Sequence, residues 1–461
     1  LAINRYVLRG TFVGALGGLL FGFDTAVISG TTGQISNAYS LHTIHLSFPL
    51  LHQSVRLSQL GITVSIALVG TVIGALTAGT LGQRCGSREM LRLTAVLYFL
   101  SSIACAFAPS WIFLLAARFI GGLGIGGSSV LAPVYIAELA PPRLRGRLVG
   151  TFQINIVVGI LLAYLSNYLI SLMNLGVGEW RFELGVAAIP AIIFFALLFT
   201  IPRSARWLTT QERFDEALKV LILLGTPNSA AELADIRESL HVELDQKKAS
   251  LFERMNGRFR YGKPIFLAIA IGAFNQLSGI NAILYYLGDI FTAAGFSRVS
   301  GNVQSVAIGA MNLAATLVGM ALIDRFGRKT LLLIGSIGTA VCLASVAVIF
   351  ATNRHKDLLV WALIIYIAFF AVSQGTVVWV YLSEIFPTRV RGKGQSLGSG
   401  THWIMNAILS LIFPIIAARS GAYPFWLFAS MMLLQFVIVL LFFPETKRVS
   451  LEELQHMLKI E

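Results

Sequence analysis

The 461-residue chain is 56% hydrophobic and 12% charged, where a soluble globular domain carries about 25% charged residues; its mean hydropathy is +0.77. Most of its surface is therefore built to face lipid, which excludes a soluble globular domain. The formal net charge of +13, from 35 Lys and Arg against 22 Asp and Glu, could suggest nucleic acid, but the basic residues alternate with apolar segments on one side of a membrane.

About 20 apolar residues cross the hydrocarbon core. By that measure the sequence predicts an all-α membrane protein with twelve spans, near 7–29, 58–80, 90–108, 111–137, 148–171, 184–200, 263–292, 300–322, 330–351, 358–384, 395–417 and 424–443. With both termini inside, the inner segments hold 28 of the 35 Lys and Arg, the outer loops hold Arg56, Arg181, Arg298, Arg354, Lys356 and Arg419, and Arg118 lies within a span. Such an excess marks the cytoplasmic side, so the basic charge is a topology signal and no nucleic-acid partner is expected. The first apolar stretch is too long for a cleavable signal and is assigned to span one. Cys85, Cys105 and Cys342 are too few and scattered for a disulfide framework or metal site, and no metal site is expected at His42, His45 and His52 of the first outer loop.

The domain boundaries that follow are a first bundle at 1–200, an inner helical linker at 201–262, a second bundle at 263–443 and a tail at 444–461. Runs such as 211–219 and 231–240 read as short amphipathic helices, and Ser450 with Glu453 has capping-box spacing before the tail helix. Gly122-x-Gly124-x-x-Gly127 matches a dinucleotide fingerprint but sits inside an apolar span, where small residues serve close helix packing.

The two halves repeat one another. Tyr135-Ile-Ala-Glu138-Leu-Ala-Pro-Pro-Arg143-Leu-Arg145-Gly146 returns as Tyr381-Leu-Ser-Glu384-Ile-Phe-Pro-Thr-Arg389-Val-Arg391-Gly392, and Gly82-Gln-Arg84-Cys-Gly86 returns as Ile323-Asp-Arg325-Phe-Gly327. Duplicated multi-span halves are the layout of a secondary transporter.

Charge within spans is costly and marks function; Asp24 in span one and Arg118 in span four are the two charges well inside. They are expected to face each other, and a pair that separates would give Asp24 a proton affinity that depends on conformation; the bland alternative is a permanent staple between helices. Span seven carries Asn275, Gln276 and Asn281 in an apolar run, with Ser278-Gly279 where the helix could loosen. Gln153, Asn312 and Asn406 are further mid-span amides, and Trp379 and Trp403 join them. Amides suit hydroxyls and an indole face suits the C–H side of a sugar. A single amide would more often be interhelical glue; six with two indoles favour a neutral polyhydroxyl ligand. No nucleophile–base arrangement stands out, so no enzyme activity and no cofactor are expected.

At these residues the chain resembles the sugar porter family of the major facilitator superfamily. The match spans Gly17-Gly-Leu-Leu-Phe-Gly-Phe-Asp24, Arg118-Phe-Ile-Gly-Gly122, Gln276-Leu-Ser-Gly-Ile-Asn281, Tyr285-Tyr286, Asp324-Arg-Phe-Gly-Arg-Lys329 and Pro444-Glu-Thr-Lys447. The resemblance implies two pseudo-symmetric six-helix bundles and alternating-access transport of a monosaccharide. Sugar would be held at Gln276, Asn281, Asn312, Trp379 and Asn406, with Gln153 from the first half. Asn275, His402, Trp403 and Ile160 lie at or beside that site. Tyr285 and Tyr286 match an outer gate, and Glu138, Arg145, Glu384 and Arg391 match charge pairs that lock the inner side. Asp24 with Arg118 resembles proton symporters, where facilitative animal carriers have Asn. Ile160 and Gln276-Leu-Ser resemble glucose carriers.

The chain departs from the family at Asn275 and His402, at Gln83, and at Pro202-Arg203-Ser-Ala205-Arg206, where Arg203 reverses a usual Glu. The reading is a proton-coupled monosaccharide symporter, a hexose such as glucose, in a plasma membrane and functional as a monomer. The alternatives are a facilitative uniporter and a non-transporting sugar sensor.

Overall fold

The computed structural model describes residues 4–48, 53–141, 144–246, 251–255, 258–387, 390–447, 449, 451–458 and 460. α1 (Arg5–Ala38) is followed by a hairpin of β1 (Thr43–Phe48) and β2 (Gln53–Ser58), then α2 (Gln59–Cys85), α3 (Ser87–Ala106), α4 (Trp111–Leu139) and α5 (Arg145–Ser171). α6 (Glu179–Gly185) and α7 (Ala188–Leu197) share one span. α8 (Ala205–Thr210), α9 (Phe214–Leu223), α10 (Ser229–Gln246) and a minimal hairpin of β3 (Arg254–Met255) and β4 (Arg258–Phe259) follow. The second half comprises α11 (Gly262–Leu277), α12 (Ile280–Tyr285), α13 (Leu287–Ala293), α14 (Arg298–Phe326), α15 (Arg328–Thr352), α16 (Leu358–Val372), α17 (Gln374–Glu384), α18 (Arg391–Arg419), α19 (Tyr423–Phe442) and the tail helix α20 (Leu451–Leu458).

Among the described residues, twelve helical stretches are long and apolar enough to cross a membrane, as expected from hydropathy. The β1–β2 hairpin is an addition to the expected all-α fold; its alternating Leu46, Phe48, Val55 and Leu57 carry the period of a strand. Three span boundaries also differ. α1 stays helical to Ala38, and within it Thr25 and Thr31 satisfy their hydroxyls on the carbonyls of Phe21 and Ile28, both at 2.9 Å, so that these polar groups are not left bare in an apolar span. Span six starts at Gly176, so Glu179 and Glu183, excluded by hydropathy, are buried on α6. Span seven ends at Tyr285 and is broken at Gly279, whose φ of 84° is left-handed. The Phe428 ring occupies the space where a Cβ at Gly279 would go.

Contacts divide the chain into two compact units. Unit 1 comprises residues 1–27, 66–166 and 178–248. In it Gly122 and Gly126 of α4 press against the Ala67 and Thr71 carbonyls of α2, the close packing that glycine allows between membrane helices. Ala205, Leu208, Ala217 and Leu221 form a small core among α8, α9 and α10. Ser204 caps α8 by accepting from Trp207 N at 3.2 Å, and Trp207 Nε1 donates to Gln83 O at 3.1 Å. Arg203 lies 3.2 Å from Glu89, which also pairs with Arg88 and Arg92.

Unit 2 comprises residues 28–65, 167–177 and 249–461. It thus gathers the hairpin-side ends of α1, α2 and α5 with the second half: Arg298 Nη2 lies 3.4 Å from Gly30 O, and Asn302 Nδ2 lies 3.5 Å from Asn167 O. Glu445 caps α15, accepting from Arg328 N at 2.8 Å and Lys329 N at 3.0 Å, where a helix N-terminus favours negative charge. Leu454 and Leu458 of α20 are buried; Ser450, the expected cap, lies outside the described residues.

The sequence repeat has a structural counterpart. Gly86 and Gly327 have φ of 90° and 91°, and Tyr135 and Tyr381 donate to the carbonyls of Pro202 at 2.7 Å and Pro444 at 3.3 Å.

Gly279→Ala is expected to lower stability by at least ~1–2 kcal/mol, from the left-handed backbone alone, with the Phe428 contact adding to it. Gly146→Ala, at a helical position with open space around it, is the control; thermal melting of the purified protein in detergent compares them.

Candidate functional site

In unit 1, α1 and α4 bring Asp24 and Arg118 together. Arg118 Nη2 lies 3.8 Å from Asp24 Oδ2, with the Arg118 side chain 4% exposed and that of Asp24 23%. At that length the contact is Coulombic rather than a hydrogen bond. The partial exposure of Asp24 leaves one member of the pair within reach of water. Gln153, half-buried, and Ile160, buried, lie two turns apart on α5 and so share a face.

Two intramembrane charges escaped the hydropathy reading. Glu183 is 0% exposed and Glu179 4%, both on α6, which packs on α3. The signal that hid them is their own polarity, which depresses the hydropathy of the turn they occupy.

In unit 2 the break at Gly279 separates α11 from α12 and leaves amides on both sides of it. Asn281 Nδ2 donates to Gln276 Oε1 at 3.1 Å, and Gln276 Nε2 donates to Asn275 Oδ1 at 3.0 Å. The same Nε2 lies 3.3 and 3.2 Å from the two ring nitrogens of His402 on α18. The imidazole is held between indoles, its centroid 5.1 Å from that of Trp379 and 5.2 Å from that of Trp403. Trp403 is buried, whereas Trp379 of α17 is 39% exposed.

A second polar chain runs one turn further along α18. Asn406 Nδ2 donates to Tyr285 OH at 3.1 Å, Ser410 Oγ donates to Asn406 Oδ1 at 3.2 Å, and Tyr286 OH donates to Ser410 O at 2.9 Å. Tyr286 stacks on Phe413 with centroids 5.0 Å apart. Asn312 is buried on α14, and among the described residues no hydrogen bond joins it to either chain. Ser410 was not singled out by sequence, nor was Tyr366, which fixes the break by donating to Ser278 O at 3.0 Å. Gln374, fully buried on α17, was also missed; an amide in an apolar run was the available signal.

The expected inner charge pairs have different partners here. Glu138 accepts from Ser204 and faces Arg206, while Arg145 is exposed. Glu384 is held by Arg328 Nη2 at 2.8 Å and Thr446 Oγ1 at 2.6 Å, and Arg391 Nε donates to Phe386 O at 3.3 Å. Both Glu384 oxygens are thus taken by partners within unit 2.

Among the described residues these amide chains contain no formally charged group, so they suit a neutral ligand rich in hydroxyls. Each carboxamide retains donor or acceptor capacity beyond the bonds described. The Asp24–Arg118 pair belongs to unit 1. Arg118→Leu leaves Asp24 without this partner and is expected to cost about 3 kcal/mol. Melting in detergent should show most of that loss recovered in the Arg118→Leu/Asp24→Asn double variant.

A model of the family described as "Sugar (and other) transporter" matches residues 10–458. The chain is 34% identical to the D-xylose-proton symporter of Escherichia coli, over 98% of this chain and 96% of that protein. It is also 34% identical to the arabinose-proton symporter of Bacillus subtilis, over 98% and 94%. The inward open structure of the E. coli xylose transporter aligns with a TM-score of 0.83 at 32% identity, covering 98% of this chain and 100% of that one. The chain belongs to the sugar transporter family of the major facilitator superfamily: it is a multi-pass membrane transporter, not an enzyme.

Proposed function

We propose that this protein is a proton-coupled symporter of a monosaccharide, an aldopentose before a hexose, working by alternating access in a plasma membrane with its termini inside. The observation that carries the coupling is the partly exposed Asp24 beside the buried Arg118. A carboxyl so placed takes a proton when Arg118 withdraws and yields it when the pair re-forms. The amides of Gln276, Asn281 and Asn406 and the indole of Trp379 are assigned to the sugar, with His402 and Asn275 fixing the Gln276 carboxamide. Gln153, Ile160 and Asn312 are assigned to it by resemblance alone.

The preference for a pentose is supported by relatives named for xylose and arabinose, which are aldopentoses; it replaces the hexose expected from Ile160 and Gln276-Leu-Ser. The hairpin-side ends of α1, α2 and α5, gathered with the second half in unit 2, support reading this conformer as closed to the outside. Tyr285 and Tyr286 are assigned to the gate on that side. Glu138, Arg145, Glu384 and Arg391 are assigned to the inner lock of the opposite state.

Uptake of radiolabelled D-xylose, L-arabinose and D-glucose into proteoliposomes, with and without an inward proton gradient, tests this reading. Gradient-driven accumulation of a pentose is expected, lost in Asp24→Asn while sugar exchange persists. Equilibration indifferent to the gradient in both proteins would leave a uniporter with Asp24–Arg118 as a static staple. Gln276→Ala is expected to raise the KM about tenfold or more, the loss of ~1.4 kcal/mol of sugar binding, with accumulation still tied to the gradient.

A further inference from the structure

Asp289 belongs to neither the ion pair nor the amide chains. It lies on α13, beyond the span that ends at Tyr285. α13 runs against the hairpin-side end of α1, with Gly288 set so close to the Ser29 carbonyl that a Cβ would collide with it. The Thr32 hydroxyl, nearly one turn along α1, lies within hydrogen-bonding reach of the Asp289 carboxyl and 3.5 Å from the Ser29 carbonyl. The Oδ2 atom is shut away from solvent and has no hydrogen-bond partner among the described residues. An ionised carboxylate in that position has lost its water on one oxygen and gained nothing for it, which disfavours the charged form. Burial accordingly holds the Asp289 carboxyl up at about 6, with the Thr32 hydroxyl pulling the other way.

We propose that Asp289 is a proton-binding site of the outer latch, taking a proton from outside as α13 and the end of α1 close together and returning it when they part. The proposal rests on the alternating-access reading, in which this packing must open. The elements packed about α13 carry the following polar and titratable groups. α1 offers Ser29 and Thr32, and α12 offers Tyr285 and Tyr286, whose hydroxyls meet Asn406 and the Ser410 carbonyl. α14 offers Arg298, whose Nη2 lies 3.4 Å from Gly30 O, and Asn302.

The sign follows from proton uptake on closing. The closed form holds its proton up to about pH 6, whereas a hydrated Asp releases it near 3.9. Acid outside therefore favours the closed latch, and the closed-to-open ratio is expected to rise about tenfold from pH 7 to pH 5. At neutral pH the latch is freer to open and admit sugar.

The test uses the full chain in nanodiscs with Cys85→Ser, spin-labelled at Asn37→Cys on α1 and Val303→Cys on α14, both exposed positions. Electron–electron distance distributions at pH 7 and pH 5 are expected to shift toward the short separation by that factor in acid. Asp289→Asn should stay at the short separation at both pH values. Thr32→Val, which removes the donor to the carboxylate, should move the midpoint to higher pH, and the shift should persist in Asp24→Asn. A parent distribution that does not change between pH 7 and pH 5, or one that changes equally in Asp289→Asn, would overturn the proposal. So would a shift abolished by Asp24→Asn alone. Uptake on the same preparation separates the two readings. Gradient-driven accumulation without the distance shift refutes the latch only, whereas the shift without accumulation supports the latch and refutes symport.

Discussion

Within lipid, water cannot satisfy a polar group, so each one inside a span must be paired by the protein or be rare. Much of this structure follows from that constraint. The threonines of α1 return their hydroxyls to the carbonyls of the preceding turn. The break at Gly279 frees backbone carbonyls, and one of them, on Ser278, is taken by the Tyr366 hydroxyl. Even the candidate sugar ligands are bonded to one another, through Asn281, Gln276 and Asn275 and through Asn406 and Tyr285. A ligand with hydroxyls can enter such chains by exchanging partners, where it could not recover the cost of amides left bare.

The same constraint separates neutral from charged chemistry. The Asp24–Arg118 contact lies in unit 1, and the amide and indole chains lie in unit 2. A permanent charge among the amides would raise the cost of dehydrating the site and draw ions into it. In the proposed symport cycle, protonation would change the contacts of the ion pair while the amide chains stay neutral. His402 fits this division as an aromatic ring beside Gln276, set between the indoles of Trp379 and Trp403.

At the ends of the spans, where water returns, charge is used freely and substitutions are absorbed. Arg203 reverses the sign of a familiar Glu, yet it meets Glu89, which already gathers Arg88 and Arg92. In the second half Arg328 bridges Asp324 and Glu384 while Glu445 caps the helix that Arg328 begins. The two halves therefore keep the backbone of their repeat, in Gly86 and Gly327, but close it with different charges.

The sequence by itself determined the twelve spans, the duplicated halves, the break at Ser278-Gly279 and the short roster of polar residues inside apolar runs. Each of these is local: transfer of a 20-residue segment into lipid, a left-handed turn at one glycine, a motif returning at a fixed interval. The tertiary structure decided which partners those polar residues meet. It placed Gln276 against His402, held Glu384 on Arg328 and Thr446 rather than Arg391, and buried Glu183 in a turn that hydropathy had set outside the membrane. It also grouped the ends of α1, α2 and α5 with the second half and covered the Oδ2 atom of the half-buried Asp289. These outcomes depend on which face of one helix meets which face of another, many residues away in the chain, and no local pattern carries that information.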